Sequence, residues 1–319
     1  MTRVLFLSLL AVTACSRPDK SAEGIAADNG KPVVLQAKGS DTMVNLVQRL
    51  SEDYAKVSPK VVVAVTGGGS GTGIKAIIDG TTDMAASSRA MKDEEKAQAE
   101  AKGIHPVETT IAFDGLSIYV HKDNPIAQID FEMLKSIFGS DSTATHWKEL
   151  GVTLDCGNGD DVIVKVGRQN NSGTYEYFKE HVLGKEGKFT STMDQSGTQQ
   201  VLDVVGTTKC AIGYGGMGYT NPGAKHLCLA KSKADTCTEP TEQNVLSGNY
   251  PFSRALYIYT NGAPSGAVKD FLDWSMSSAA DKVVAEAGFV PTPKGGVAPA
   301  VPAAEAAPVE PAPAAPAGG

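Results

Sequence analysis

The stretch VVVAVTGGGSGTGIKAIIDG, residues 61–80, joins a run of β-branched residues to a helical pattern through a loop rich in glycine. Five glycines surround two hydroxyl residues of this loop, Ser70 and Thr72. The valines before the loop favour a strand, and the isoleucines after it have helical spacing. Glycine lets a backbone approach a ligand closely, and the free N–H groups at a helix start attract anions. The stretch therefore predicts a strand, a ligand-binding loop and a helix.

Nucleotide and hydrolase motifs do not fit this loop. A P-loop with its glycines at Gly68 and Gly73 requires lysine where Ile74 stands, and Lys75 comes one position late. The dinucleotide pattern GxGxxG has no register here, and the nucleophile elbow GxSxG fails because Thr72 occupies its last glycine position. The loop therefore predicts an anion site that belongs to neither class.

Strand and helix patterns alternate between Pro32 and Val290. Strands are predicted at 32–40, 60–66, 83–88, 105–125, 161–168, 210–216 and 254–260, and helices at 42–57, 71–80, 90–103, 130–140, 174–183, 199–207 and 267–277. This alternation predicts an α/β fold with mostly parallel sheets covered by helices. The roughly 260 folded residues favour two α/β domains over one.

The two ends of the chain differ in composition from this folded part. Residues 1–14 read as a signal peptide, with Arg3, a short apolar run and small residues before Cys15. The ending VTAC resembles the lipobox of bacterial lipoproteins, which implies lipidation of Cys15 and a polar tether to residue 32; an ordinary secretory signal is the alternative. Residues 291–319 are rich in alanine and proline, and we expect a disordered tail there.

The charge and the cysteine content of the chain exclude some classes of function and indicate an exported protein. The net charge of −7 and the lack of any Lys/Arg run argue against nucleic-acid binding. Without Cys15, an even number of cysteines is left for an exported chain, which predicts disulfides; the short loop favours Cys228–Cys237, leaving Cys156–Cys210. The sequence contains no CxxC motif, and its histidines do not have the spacing of metal ligands. We therefore expect neither a metal site nor a cofactor.

Three predicted strand-to-helix junctions share one chemistry. They are KGSDTMVNL with Ser40, Asp41 and Thr42, the Gly-rich loop with Ser70, and VGRQNNSGTYEYF with Arg168 and the Ser172–Thr174 hydroxyls. Each places hydroxyls and unpaired N–H groups at a helix start, and an arginine can bind two oxygens of an oxyanion. Helix capping alone explains one such junction, whereas three of them predict an anion site.

These motifs resemble the phosphate-binding component of bacterial phosphate ABC transporters, which has the type II periplasmic binding protein fold. The resemblance covers about residues 33–290 and rests on GSDTM, GGGSGTGIKAI, DMAASSRAM, FDGLSIYVHKDNP, VGRQNNSGTYEYF and AIGYGGMGY, in the order and approximate spacing of that family. It implies phosphate-binding residues at Ser40, Thr42, Met43, Ser70, Ser88, Arg168, Ser172, Gly173 and Thr174.

Two positions depart from the family pattern. Ser88 stands where some members have an aspartate that accepts a hydrogen bond from protonated phosphate, and Asn170 stands where an acid often partners the arginine. A site that selects phosphate over sulfate needs an acceptor for that proton. Asp114 is the first candidate and Asp41 the second, although Asp114 could instead be a turn residue before a glycine.

Three further features concern residues near the predicted site. Arg89 either contacts the ligand or braces its loop through an ion pair, with bracing favoured. A further Ser-Gly-Thr at residues 196–198 is interpreted as a helix cap, although it could line the cleft. The sequence AIGYGGMGY is interpreted as a buried strand that leads to a hinge or a close-packed turn.

The resemblance implies a monomeric, extracytoplasmic phosphate-binding protein that is anchored by lipidated Cys15 and delivers phosphate to membrane permease subunits, and it implies no enzyme activity. Residues 33–113 plus 252–290 are expected to form one domain and 114–251 the other, closing on the anion by a hinge. The alternatives are a binding protein for sulfate or molybdate, a phosphate sensor without transport, and, more remotely, a secreted phosphatase or esterase that uses Ser70 or Ser172.

Overall fold

The computed structural model of the protein describes residues 32–157 and 159–294. The expected signal peptide, lipidated Cys15, nearly all of the tether and the tail beyond residue 294 lie outside the described residues. No helix in the described part is long and apolar enough to span a bilayer.

The described residues alternate strands and helices, which confirms the predicted α/β class. The strands are β1 Val33–Gly39, β2 Val61–Thr66, β3 Met84–Ser87, β4 Pro106–His121, β5 Gln128–Asp130, β6 Val164–Arg168, β7 Met193–Gln195, β8 Ala211–Gly216, β9 Ala224–His226, β10 Cys228–Ala230, β11 Ser253–Asn261 and β12 Val290–Pro291. The α-helices are α1 Val44–Val57, α2 Ser70–Ile78, α3 Asp93–Ala101, α4 Phe131–Phe138, α5 Gly173–Phe178, α6 Thr198–Thr207, α7 Glu242–Leu246, α8 Gly266–Ser275 and α9 Asp281–Glu286.

Most of the described strands form one ten-stranded sheet with the order β2-β1-β3-β11-β4-β8-β6-β7, to which β12 and β9 add beside β4. The β1–β2 and β1–β3 pairs are parallel, and so are β6–β7 and β6–β8 at the other end. The pairs between them, β3–β11, β11–β4 and β4–β8, are antiparallel. The sheet is therefore parallel toward its ends and antiparallel in its middle, and β5 and β10 form a separate small sheet.

The hydrophobic patterns explain the packing of these elements. In α1 the buried residues Leu46, Val47, Leu50 and Tyr54 form the predicted apolar stripe against the sheet. Strands β3 and β8 are buried along their whole length, as strands covered on both faces should be. Asp130 caps α4, since its side chain accepts a hydrogen bond from the Met133 backbone N–H at 2.8 Å.

Strand β4 connects the two parallel regions. Its first part, residues 106–115, pairs with β11, and its second part, residues 116–121, pairs with β8 and β9. The predicted boundary after Phe113 falls inside this strand, and the predicted return at Phe252 immediately precedes β11. These two neighbouring strands are where the chain passes between the two expected domains, a division that stays a prediction.

Some local details differ from the predictions. Within the predicted range 105–125, Pro106–His121 form one long strand rather than several, and residues 111–120 of this strand are all buried. Helix α5 ends at Phe178 and continues as a π-helical turn over Lys179–Leu183. The tail was expected to begin at Pro291, but Val290–Pro291 pair with β4, and Lys294 forms an ion pair with Asp281 at 2.8 Å.

Both predicted disulfide pairings are confirmed. The Cα atoms of Cys156 and Cys210 are 5.5 Å apart, and those of Cys228 and Cys237 are 5.4 Å apart. The first pair joins the loop before β6 to the start of β8, whereas the second closes a short loop after β10.

Candidate functional site

Four of the predicted site segments meet at one end of the sheet. Ser40 follows β1, Ser70 opens α2 after β2, Ser88 follows β3, and Ser172 caps α5 after β6. Parallel neighbouring strands present their carboxyl ends at the same edge, so the residues that follow them lie close together. The order β2-β1-β3 accounts for the meeting of the first three segments, and β6 brings the fourth from the other parallel region.

Five hydroxyl side chains form the centre of this site, and we call Ser40, Thr42, Ser70, Ser88 and Thr174 the hydroxyl cluster. The Ser40 hydroxyl donates to the Ser88 hydroxyl at 3.0 Å, and the Ser70 hydroxyl lies 3.3 Å from Ser88. The hydroxyls of Thr42 and Thr174 are 2.9 Å apart, although these residues are far apart in sequence. All five residues are at most 2% exposed, so the cluster is a buried set of neutral hydrogen-bonding groups.

Gly173 allows the two sides of the cluster to approach each other. A Cβ atom on Gly173 would lie 2.6 Å from the Ser88 hydroxyl and closer still to that of Ser70. Its neighbour Ser172 accepts a hydrogen bond from the Thr174 backbone N–H at 3.1 Å, which caps the start of α5. The Ser-Gly-Thr triplet thus fixes the helix start, keeps the backbone bare and supplies one cluster hydroxyl.

The guanidinium of Arg168 is buried beside the cluster and is held by the start of α6. Its NH2 donates to the Ser196 carbonyl at 2.8 Å, and its NH1 donates to the Thr198 hydroxyl at 3.2 Å. The capping interpretation of residues 196–198 was wrong, because α6 has no side-chain cap bond and this triplet instead binds the arginine. Burial lowers the pKa of Arg168, and the nearby Asp41 opposes this shift.

Asp114 lies in the middle of β4, which rules out the turn interpretation. Its Oδ2 accepts hydrogen bonds from Arg254 Nε at 3.0 Å and NH2 at 2.7 Å, and the two residues are direct cross-strand partners. Both side chains are buried, and Asp114 Oδ1 and Arg254 NH1 have no hydrogen-bond partner within the described structure. Burial raises the pKa of the Asp114 carboxyl, while Arg254 acts in the opposite direction.

The Asp114 carboxylate is close to the cluster. The point where Gly216 would carry a Cβ atom lies 3.1 Å from Asp114 Oδ2, 3.2 Å from Oδ1 and 3.3 Å from the Thr42 methyl group. The bare backbone of Gly216 therefore leaves room between this carboxylate and Thr42. An acid with a free, buried oxygen at this position can accept a proton donated by a ligand.

The remaining candidates occupy different places. Met43 is fully buried, and its backbone N–H donates to the Ser40 carbonyl at 3.0 Å. Arg89 forms a two-pronged ion pair with Glu95, at 2.7 Å and 2.8 Å, which confirms the bracing role. The strand interpretation of AIGYGG is confirmed by the fully buried β8.

Two neighbouring features were not found from sequence. Arg254 could have been noticed as an isolated arginine in the apolar pattern FSRALYIYT, but nothing in that pattern names Asp114 as its partner. Asn171 donates from its side chain to the Gly68 carbonyl at 2.8 Å and accepts from the Gly71 backbone N–H at 3.3 Å. Asn171 thereby joins the loop before α5 to the Gly-rich loop.

Two cavities open beside chain segments that carry predicted site residues. A cavity of about 210 Å³ is lined by residues that include Asp41, Ser196, Thr198 and Tyr219. Another of about 630 Å³ lies along the loop after Arg168 and includes Asn170, Asn171 and Tyr175. Neither cavity is lined by a residue of the hydroxyl cluster.

One group among the described residues has the composition of a metal site, formed by His146, Asp160 and Asp161. It lies near the loop between Cys156 and β6 and includes no residue of the hydroxyl cluster. Sequence spacing did not indicate it because long-range contacts bring these residues together, among them an isolated bridge between His146 and Val162 and a hydrogen bond from the Trp147 N–H to the Asp161 carbonyl at 2.9 Å.

Comparison with known proteins finds a superfamily model and phosphate-binding relatives that agree with each other. A family model described as "PBP superfamily domain" matches residues 26–279. The phosphate-binding protein PstS of Pseudomonas aeruginosa is 36% identical over 270 residues, covering 81% of this chain and 83% of that protein. PstS of Staphylococcus haemolyticus is 31% identical over 300 residues, covering 92% of each chain.

Solved structures agree with these sequence relatives. A protein from Clostridium perfringens, assigned as a phosphate ABC transporter substrate-binding protein and solved with bound phosphate, superposes with a TM-score of 0.70 at 26% identity and covers 82% of this chain and 100% of its own. An ABC-type phosphate transport receptor from Vibrio cholerae has a TM-score of 0.63 at 25% identity, with coverages of 80% and 99%.

Proposed function

Since this chain belongs to the PBP superfamily and, within it, to the phosphate-binding proteins related to PstS, we propose that it binds inorganic phosphate outside the cytoplasm and delivers it to an ABC transporter permease. The observation that carries the proposal is the hydroxyl cluster. Five buried hydroxyls from four chain segments meet beside a buried arginine, and they have no evident structural reason to meet.

Neutral donors suit a small oxyanion in a buried site. Each serine or threonine hydroxyl can rotate from its present partner and donate to an anion oxygen, so the bonds within the cluster are exchanged for bonds to the ligand. Arg168 supplies the positive charge, and the bare Gly173 backbone lets α5 approach the anion. In a water-excluded site these donors bind an anion more strongly than they would in water.

Asp114 is proposed as the group that distinguishes phosphate from sulfate. Hydrogen phosphate carries a proton that it can donate, whereas sulfate at neutral pH carries none. The unpartnered Oδ1 of Asp114 would accept a hydrogen bond from that proton, whereas it would repel an unprotonated sulfate oxygen. Ser88, where some relatives have an aspartate, then serves as a donor in the cluster.

The other candidate functions have less support. A binding protein for sulfate or molybdate would use the same hydroxyls but would not need Asp114. A phosphatase or esterase needs a base beside its nucleophile, and the described partners of Ser70 are the hydroxyl and backbone N–H of Ser88, while Ser172 bonds the Thr174 N–H. A sensor that binds phosphate without transport would share the site, so only a permease assay separates it.

The proposal also covers how the protein closes around phosphate and where the chain is located. The segments 33–113 plus 252–290 and 114–251 would form two lobes that close around phosphate, with β4 and β11 as the connections between them. The chain would be exported as a monomer and tethered by a lipid on Cys15. Two cysteine pairs at disulfide distance support an oxidising compartment.

Arg168→Ala tests the site assignment directly. Removing a charge-assisted, multidentate contact should weaken phosphate binding by about 100-fold or more in isothermal titration. Arg49→Ala is the matched control, because this exposed arginine only donates to the Glu286 carbonyl at 3.3 Å. Unchanged affinity in Arg168→Ala, with folding verified by circular dichroism, would show that the site lies elsewhere.

A further inference from the structure

We infer that Asp41 is a positioning residue of the phosphate site, which holds the buried Arg168 and the Gly-rich loop in one arrangement by a contact across the cleft. This inference rests on the proposed function in one respect, namely that Arg168 contacts the bound anion. The role of Asp41 itself follows from its contacts and from the charge of its surroundings.

Asp41 touches both elements with different oxygen atoms. Its Oδ1 accepts a hydrogen bond from the Gly68 backbone N–H at 2.8 Å, and its Oδ2 lies 3.8 Å from Arg168 NH2. The carboxylate also packs directly on the backbone at Gly67, where a Cβ atom would collide with Oδ1. One carboxylate thus contacts both the loop that leads into Ser70 and the arginine that ends β6.

Arg168 needs a counter-charge because it is buried. Its side chain is 0% exposed, and its hydrogen-bond partners, the Ser196 carbonyl and the Thr198 hydroxyl, are neutral. Asp41 is the one carboxylate within 4.0 Å of this guanidinium in the described part of the chain, since Asp114 is paired with Arg254. A buried cation that loses its counter-ion becomes costly and moves toward water.

The contact crosses the site. Asp41 precedes Thr42 and lies beside Gly68, on the wall built from β1 and β2, whereas Arg168 ends β6 on the facing wall. The residue two positions after Arg168, Asn170, is an amide and cannot supply the charge locally. The pair therefore joins the two parallel regions of the sheet across the site, and it orients the arginine toward the anion.

Asp41 is poorly placed to accept the phosphate proton. Its Oδ1 is engaged by the Gly68 N–H, and its Oδ2 faces Arg168. Asp114, with its unpartnered Oδ1, keeps that role. The two aspartates named as acceptor candidates thus have separate tasks, one in selecting the anion and one in positioning the arginine.

The test uses Asp41→Asn in the chain without its signal peptide. Asparagine keeps an oxygen for the Gly68 N–H and removes only the charge, so the fold should be retained and phosphate affinity should fall about 10-fold in isothermal titration. Asp83→Asn is the matched control, because the Asp83 carboxylate also accepts a backbone N–H, that of Gln36 at 2.7 Å, and has no arginine partner. Its affinity should equal that of the wild type.

A double-mutant cycle separates positioning from local support of the loop. In an Arg168→Met background, Asp41→Asn should cause no further loss, with the weak binding followed by phosphorus NMR at millimolar phosphate. A 10-fold loss in both backgrounds, or no loss in either, would overturn the inference. Arg168→Gln serves as the second background if the methionine variant fails to fold. If the wild type binds sulfate but not phosphate, the proposed function fails, and the same cycle measured with sulfate still tests Asp41.

Discussion

At the scale of single residues, Gly173 sets how closely the two sides of the hydroxyl cluster approach. Its Cα faces the hydroxyls of Ser70 and Ser88 with no space for a side chain. The neighbouring Thr174 then reaches Thr42 at 2.9 Å. The proposed phosphate site therefore requires a residue without a side chain at position 173, because a side chain would separate the donors that should surround one anion.

Gly173→Ala should weaken phosphate binding by about 10-fold or more, which corresponds to about 1.4 kcal/mol. The added methyl group would push α5 away from Ser70 and Ser88. Gly71→Ala is the control in the same region, since its Cβ atom would meet its nearest neighbour, the Asn171 carbonyl oxygen, at an ordinary 3.6 Å. Equal affinities of the two variants in isothermal titration would argue against the cluster as the site.

Asp114→Asn should shift the selectivity of the site from phosphate toward sulfate without abolishing anion binding. The amide can donate to a sulfate oxygen and can no longer take the phosphate proton freely, so the ratio of phosphate to sulfate affinity should fall by about 100-fold. The variant also leaves Arg254 without its charged partner, so its thermal stability should fall.

Competition titrations of phosphate and sulfate measure this ratio. Asp130→Asn is the control, because Asp130 only caps α4 away from the cluster and asparagine is an equally good cap. A selectivity ratio that stays at the wild-type value in Asp114→Asn would remove Asp114 from the site.

At the scale of elements, the helix starts were predictable from sequence because their signals are local. Ser70 and Ser172 lie where β-branched or alternating strands give way to helical spacing, and both begin helices in the structure. The shared chemistry of the three junctions predicted one anion site, and the family resemblance implied the same site. The sequence patterns alone do not contain the strand order that brings β6 beside the β2-β1-β3 group through β11, β4 and β8.

Long-range pairs explain what could not be predicted. Arg254 faces Asp114 because β11 and β4 pair in one particular register, and a register is set by the packing of whole strands. The triplet at residues 196–198 looked like a cap because its sequence is that of a cap, whereas its partner, Arg168, comes from a neighbouring strand. Local patterns identify donors, and tertiary structure decides what they bind.

Each of the two disulfides joins separate segments of the chain, and removing them should lower the free energy of unfolding by different amounts. Cys156 and Cys210 are 54 residues apart, so replacing both with alanine should lower the free energy of unfolding by about 4 kcal/mol. Cys228 and Cys237 are 9 residues apart, and the same change there should cost about 3 kcal/mol. Urea unfolding of the oxidised proteins measures both; a larger loss for the short loop would contradict the loop-entropy argument.

At the scale of the whole molecule, the sheet explains how one chain can build two walls. Its two parallel regions carry the hydroxyl-bearing loops, and β4 and β11 join them through antiparallel pairs. Contacts across the site, such as Lys92 with Glu176 at 2.8 Å and Asn171 with Gly68, hold the walls together in the arrangement described.

The most direct test of this account is isothermal titration of the purified chain, without its signal peptide, with phosphate and then with sulfate. The account predicts one phosphate bound per chain and sulfate bound at least about 100-fold more weakly, as expected when a buried acceptor must pair with the ligand's proton. Sulfate bound more tightly than phosphate, or phosphate that binds no better to the wild type than to Arg168→Ala, would contradict it.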